Sequence, residues 1–130
     1  YLLKGRIKTI FTIHNLAYQG LFSKDTADFF GVEDESFYIW DQFNYMKIGI
    51  EHADIVTTVS QTYAKEILRK DNGCGLDEIL RKRKKNLYGI VNGIDYSVFN
   101  PETDDALKFK YSVGNLEGKS INKRFLQNDF

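Results

Sequence analysis

Residues Ile7–Ile13 read IKTIFTI, a short run of β-branched and aromatic residues bounded by Gly5 before it and by His14-Asn15 after it. The run has no three- or four-residue apolar period, so it predicts a buried strand rather than one face of a helix. Two later runs have the same character: Asp54–Val59, DIVTTV, and Leu87–Val91, LYGIV, the second closed by Asn92-Gly93. Between these runs the apolar period lengthens. From Asp41 onward Phe43, Met46, Ile50 and Ala53 recur at helical spacing, with Asn44, Lys47 and Glu51 between them, which predicts an amphipathic helix with Asp41 as its N-cap. Ser60 is placed to cap QTYAKEILRK, whose buried face would carry Tyr63, Ile67 and Leu68. Asp71-Asn72-Gly73 ends that stretch, and LDEILRKRKKN from Leu76 predicts a further helix, apolar at Leu76, Ile79 and Leu80. A shorter helix is expected over Ser23–Gly31.

Strand, helix, strand, helix, helix, strand is the order of a parallel sheet covered by helices with right-handed crossovers, so the expected fold class is α/β. The single proline, Pro101, marks the exit from the last strand into a turn at NPETD. From Ala106 the pattern predicts helical pieces separated by Gly114 and Gly118. No repeat or low-complexity segment interrupts this order.

The bulk properties narrow the function. With 130 residues, 42% hydrophobic and 28% charged, the chain suits one soluble globular domain or part of a larger one. Eighteen basic residues balance eighteen acidic ones, so nothing favours capture of nucleic acid or of an anionic membrane. The apolar runs fall far short of the roughly 18 residues that read as a membrane span. Cys74 is the only cysteine and forms no internal disulfide; with no signal-peptide pattern, this predicts a reducing, intracellular compartment. The chain opens without Met and closes inside a helical pattern, SINKRFLQNDF, so both ends read as cut from a longer protein.

In open parallel sheets ligands bind at the carboxyl ends of the strands, where loops converge. That rule selects His14-Asn15, Ser60 and Asn92-Gly93. His14 could orient a sugar or stabilise developing charge, or it could be a structural histidine capping the following turn. The amides of Asn15 and Asn92 offer donor and acceptor to sugar hydroxyls. Asn92 next to Gly93 also reads as a turn residue tolerant of positive φ. The basic run Arg81–Lys85 is expected as a solvated helix end rather than a phosphate or RNA site. His52 is expected to pack or cap, and no metal-ligand spacing is visible. The sequence contains no dinucleotide fingerprint, no phosphate-binding Gly-Lys-Ser/Thr loop and no Gly-x-Ser-x-Gly. Gly73-Cys74-Gly75 reads as a flexible break opening a helix, and the Cys74 thiol as structural or incidental.

Four longer segments carry a resemblance: TIHNLAYQGLF (Thr12–Phe22), HADIVTTVSQTYAKEI (His52–Ile67), GCGLDEILRKRKKNLYGIVNGID (Gly73–Asp95) and FNPETD (Phe99–Asp104). In this order they resemble the bacterial glycogen synthase and plant starch synthase family, over about Ile7 to Gln127. The resemblance implies a GT-B glycosyltransferase with two Rossmann-like domains facing a cleft. Residues 1–104 would be the later part of the N-terminal domain, and 105–130 a helical connector toward a C-terminal domain. It implies transfer of glucose from ADP-glucose to the non-reducing 4-hydroxyl of an α-1,4-glucan, with retention and with no cofactor or metal required. The expected partners are thus a nucleotide sugar and a glucan acceptor, with neither nucleic acid nor membrane, and the expected compartment is the bacterial cytoplasm, or the plastid if the source is a plant.

By the same resemblance His14 lines the glucosyl site at the reacting centre. Asn15 faces the sugar beside it, and Asn92 belongs to the cleft-lining Asn-Gly-Ile-Asp motif. Tyr18 and Gln19 share the His14 loop and join the expected substrate-binding set. The family's Lys-x-Gly-Gly loop, and the second-domain Arg, Lys and Glu that serve the diphosphate and the catalytic site, do not occur in these 130 residues. The chain alone is therefore expected not to catalyse transfer. The alternatives are a glucan-binding or regulatory module without chemistry, and another GT-B nucleotide-sugar transferase.

Overall fold

Three short strands pair in parallel with side chains alternating between two unlike faces, and this pairing organises the first part of the chain. The computed structural model describes residues 7–29, 31 and 34–129. Its elements run β1 (Ile10–Ile13), β2 (Leu21–Phe22), α1 (Lys24–Phe29), β3 (Tyr38–Ile39), β4 (Gln42–Asn44), α2 (Tyr45–His52), β5 (Ile55–Thr58), α3 (Gln61–Glu66), α4 (Asp77–Lys82), β6 (Leu87–Gly89) and α5 (Glu117–Asp129). The parallel sheet has the order β1-β5-β6, in the register Ile10↔Ile55 to Ile13↔Thr58 and Val56↔Leu87 to Thr58↔Gly89. The α/β class read from the sequence is the class observed.

Ile13 and Val56 bury one face of the sheet against Met46 and Ile50 of α2, Ile67, Leu76 and Leu80, with Phe11 and Leu87 packed at the margin. The opposite face carries Ile10, Ile55 and Tyr88, and it is open: Ile10 is 67% and Tyr88 50% exposed. Parallel sheets are normally covered on both faces. Within the first unit the described helices pack on the face of Ile13 and Val56, in keeping with the sheet flanked by helices that the sequence predicts.

β1 is shorter than Ile7–Ile13 because Thr9 has a competing partner. The Thr9 amide donates to Asp54 Oδ2 at 2.8 Å, and Lys8 Nζ lies 3.3 Å from the same carboxylate. These contacts hold the Asp54 carboxyl below its usual range, the Thr9 amide being the largest cause. Gly5, expected to bound the strand, lies outside the described residues, as does Phe30 within the expected 23–31 helix.

The largest departure from the sequence reading is a second sheet, antiparallel, in the order β2-β4-β3. Asp41 does not cap α2. Trp40 and Asp41, at φ 51° and 60°, form a two-residue hairpin turn between β3 and β4, and left-handed residues at both positions suit the twist of the strands. Phe43 is consequently a strand residue, edge-on to Phe37, Tyr38 and Tyr45. The N-cap is Asn44, whose side chain accepts from the Lys47 amide. Ser60 caps α3 as expected, accepting from the Tyr63 amide.

The basic run is not wholly solvated either. The Arg83 guanidinium reaches the carbonyls of Ala53 and Asp54, tying the end of α4 to the entrance of β5. Arg81 pairs with Asp77 one helical turn away, at 2.6 Å.

By contacts the chain divides into two compact units, Tyr1–Asn92 and Gly93–Phe130. In the second unit the segment before α5 is not helical; it is held by the Asn122 amide, which donates to the Phe109 carbonyl at 2.7 Å and accepts from the Phe109 amide. Phe109 and Phe125 stack, with Lys108 Nζ 4.4 Å from the Phe125 ring centre. Gly118 does not separate helical pieces. It lies inside α5, where a Cβ would sit 2.2 Å from the Lys110 carbonyl oxygen.

A similar close approach fixes the edge of the parallel sheet, since a Cβ on Gly89 would fall 2.1 Å from the Ser60 carbonyl oxygen. Because the obstruction is backbone, Gly89→Ala is expected to destabilise the fold by about 2 kcal/mol or more. Chemical denaturation of the variant checks this; an unchanged midpoint would show that β6 does not need this contact.

Candidate functional site at the carboxyl edge of the parallel sheet

Where β1 ends, the last carbonyl of the strand is already engaged, because Thr58 Oγ1 donates to Ile13 O at 2.8 Å. The chain then enters the 14–20 loop. Leu16 is fully buried and anchors it, with its amide donating to the Tyr63 hydroxyl of α3 at 3.2 Å. Asn15 Oδ1 accepts from the Ala17 amide at 3.0 Å, and the Asn15 carbonyl accepts from the Tyr18 amide. This side-chain-closed turn is characteristic of asparagine. The loop closes on α2: the amides of Tyr45 and Met46 donate to the carbonyls of Gly20 and Gln19 at 3.2 and 3.1 Å. First-turn amides of a helix lack partners within the helix, so the loop supplies what α2 itself does not.

Around this frame the expected site residues separate. His14, Asn15 and Tyr18 face solvent, Tyr18 with 80% of its surface exposed. Among the described residues the His14 imidazole makes no hydrogen bond or ion pair, and it is Asn15 that closes the following turn. The turn-capping alternative for His14 is therefore not what the structure shows. Gln19 turns inward. It is only 6% exposed, and both ends of its amide are taken: Nε2 donates to the Cys74 carbonyl and Oε1 accepts from Asn44 Nδ2, each at 2.7 Å. Gln19, expected in the substrate-binding set, thus has its amide engaged within the fold.

Asn92 lies just past the other outer strand. The Ile90 amide still bonds to the Thr58 carbonyl, after which Val91 and Asn92 run out exposed. Neither Asn92 nor Gly93 has positive φ, so the turn alternative for this pair is not realised. The His14-Asn15 pair and Asn92 thus leave β1 and β6, the two outer strands, at the same edge. Strand spacing separates these outer strands by about 10 Å. Ser60, leaving the central strand, is occupied as the α3 cap and is not a free ligand group.

His52 ends α2 with its ring edge-on to Phe37 at 5.3 Å, in line with the packing role read for it. The Cys74 thiol is exposed, but its carbonyl is the Gln19 partner, held in a left-handed backbone at φ 49°. No group of three or more His, Cys, Asp or Glu able to hold a metal occurs among the described residues. No helix among them is long and apolar enough to cross a membrane. Sequence reasoning missed Asn44, Tyr63 and the Cys74 carbonyl as supports of the site. An asparagine immediately before an amphipathic run was a readable signal for Asn44. Nothing in the sequence marks a particular main-chain carbonyl.

A parallel α/β sheet with polar loops at its carboxyl edge has the arrangement in which open α/β folds bind ligands. The starch synthase catalytic domain model matches residues 2–82, and the chain belongs to that family. It is 48% identical over 126 residues to a glycogen synthase of Thermodesulfovibrio yellowstonii, covering 93% of this chain and 25% of that protein. It is 50% identical over 129 residues to one of Clostridium novyi, covering 95% and 27%. Among solved structures it resembles the catalytic domain of starch synthase IV from Arabidopsis thaliana bound to ADP and acarbose, with TM-score 0.69 and 36% identity, over 94% of this chain and 27% of that one. The chain spans about a quarter of the length of these relatives.

The Asn44 amide has two tasks, capping α2 and donating to Gln19. Asn44→Asp keeps an excellent cap yet removes the donor, leaving two acceptors face to face in a buried site. A loss of about 1–3 kcal/mol is expected. Urea unfolding tests it, and a variant as stable as the parent would mean that the buried contact contributes nothing beyond capping.

Proposed function

We propose that the protein carrying this segment transfers glucose from ADP-glucose to the non-reducing 4-hydroxyl of an α-1,4-glucan, with retention of configuration, in glycogen or starch synthesis. The observation that carries the reading is the exposed His14-Asn15 pair at the carboxyl end of β1, in a chain close to half identical to glycogen synthases. Support for the adenine nucleotide comes from the Arabidopsis neighbour, which was solved with ADP and acarbose. In this reading His14 acts at the reacting centre, where its imidazole donates to the sugar or balances charge as the nucleotide departs. Asn15, Tyr18 and Asn92 bind the substrate. Residues 1–104 belong to the N-terminal domain, and 105–130 lead toward the second. The bacterial relatives favour the cytoplasm as the compartment.

Because the exposed imidazole makes no hydrogen bond or ion pair among the described residues, His14→Ala in the full-length protein is expected to lower turnover by about 10²–10⁴-fold. Its thermal midpoint should stay where it was. Turnover near that of the parent would remove His14 from the site. The 130-residue chain by itself lacks the diphosphate-gripping residues the family resemblance implies and is expected to incorporate no glucose from ADP-glucose into glycogen. Radiolabel transfer by the purified chain would overturn that division of labour.

A further inference from the structure

Gln19 is the buried member of an exposed loop. Its amide joins three segments far apart in sequence: the 14–20 loop itself, the N-cap of α2 at Asn44, and the main chain at Cys74. Only one orientation of the amide works. Reversed, it would set oxygen against the Cys74 carbonyl and nitrogen against the Asn44 amide nitrogen. The anchors are themselves fixed. Asn44 is held by the Lys47 amide at 2.8 Å, and Cys74 by the left-handed pair Cys74-Gly75, at φ 49° and 81°. Trp40 lies so close over Gly75 that an added Cβ would meet its ring at 2.8 Å. The amides of Tyr45 and Met46 and the hydroxyl of Tyr63 hold the same loop from its main-chain side.

We propose that Gln19 is a positioning residue: its amide latches the loop bearing His14, Asn15 and Tyr18 to the α2 cap and the Cys74 carbonyl, and so sets where those side chains stand against the sugar. This rests on the reading of that loop as part of the glucosyl site. A latch of this kind acts on catalysis through orientation. Displacements of about 1 Å cost reacting groups up to about a hundredfold in rate, while substrate affinity changes less.

The test uses the full-length protein with ADP-glucose and glycogen. Gln19→Met keeps the length of the side chain and removes both hydrogen-bonding ends. It is expected to lower kcat about tenfold or more, with KM for ADP-glucose moved far less. Gln19→Glu adds a readout that bulk destabilisation does not produce. Protonated, its carboxyl can donate to the Cys74 carbonyl and accept from Asn44; ionised, it places an oxygen against that carbonyl. Burial raises such a carboxyl toward neutrality, so kcat relative to the parent should rise as the pH is lowered from about 8 to about 6. Phe37→Leu, which trims the separate aromatic cluster that Phe37 forms with Phe43, serves as the stability control and should keep its turnover.

A folded Gln19→Met protein with kcat within about twofold of the parent overturns the proposal. So does a Gln19→Glu ratio that stays flat with pH, or a Phe37→Leu protein that loses turnover equally. His14→Ala, assayed alongside, separates the two levels. If it keeps its activity, the site reading fails; if it is inactive while Gln19→Met is active, only the latch fails.

Discussion

The backbone of β5 is hydrogen-bonded on both sides, to β1 and to β6, in one fixed parallel register. Side chains in a strand alternate between faces, so a slip of one residue would carry Val56 out of the core and Ile55 into it. Val56 is fully buried in the core that the sheet forms with the helices, which makes the register costly to change. Everything at the carboxyl edge follows from it. Ile13, Thr58 and Gly89 end level, and the chain beyond β1 and β6 is delivered to the same side.

Polar satisfaction then decides how the edge is furnished. Thr58 takes the last carbonyl of β1, Ser60 is consumed as a cap, and Asn44 serves both α2 and Gln19. Each of these groups is buried or half-buried and would be expensive to leave without a partner. His14, Asn15, Tyr18 and Asn92 remain outward-facing, with Asn15 Oδ1 engaged by the Ala17 amide. The support is dense beneath the loop and sparse above it, an arrangement suited to holding polar groups still at an open edge.

Much of this was legible in the chain. The runs around IFTI, IVTT and LYG announce strands through β-branched and aromatic density, and Ser60 announces a helix start through its position before an amphipathic stretch. The antiparallel sheet was not legible. Gln42–Asn44 fits a helical period well enough, and only the pairing of β4 with β2 and β3 makes it a strand and moves the cap from Asp41 to Asn44. Strands of two or three residues carry too few side chains to show a period. Arg83 was likewise read as solvated because its carbonyl partners, Ala53 and Asp54, lie far away in sequence.

The sequence by itself determined the α/β class, the three parallel strands, the loops that leave them and, through four long segments in order, the family. The tertiary structure alone decided which residues of one loop face inward and which outward. Tyr18 and Gln19 are neighbours of comparable polarity, and nothing local separates them. Tyr18 is left in solvent while Gln19 is drawn in, because a donor on Asn44 and a carbonyl on Cys74, both distant in sequence, converge on its amide. Residue preference is a local quantity, and the satisfaction of a buried amide is not.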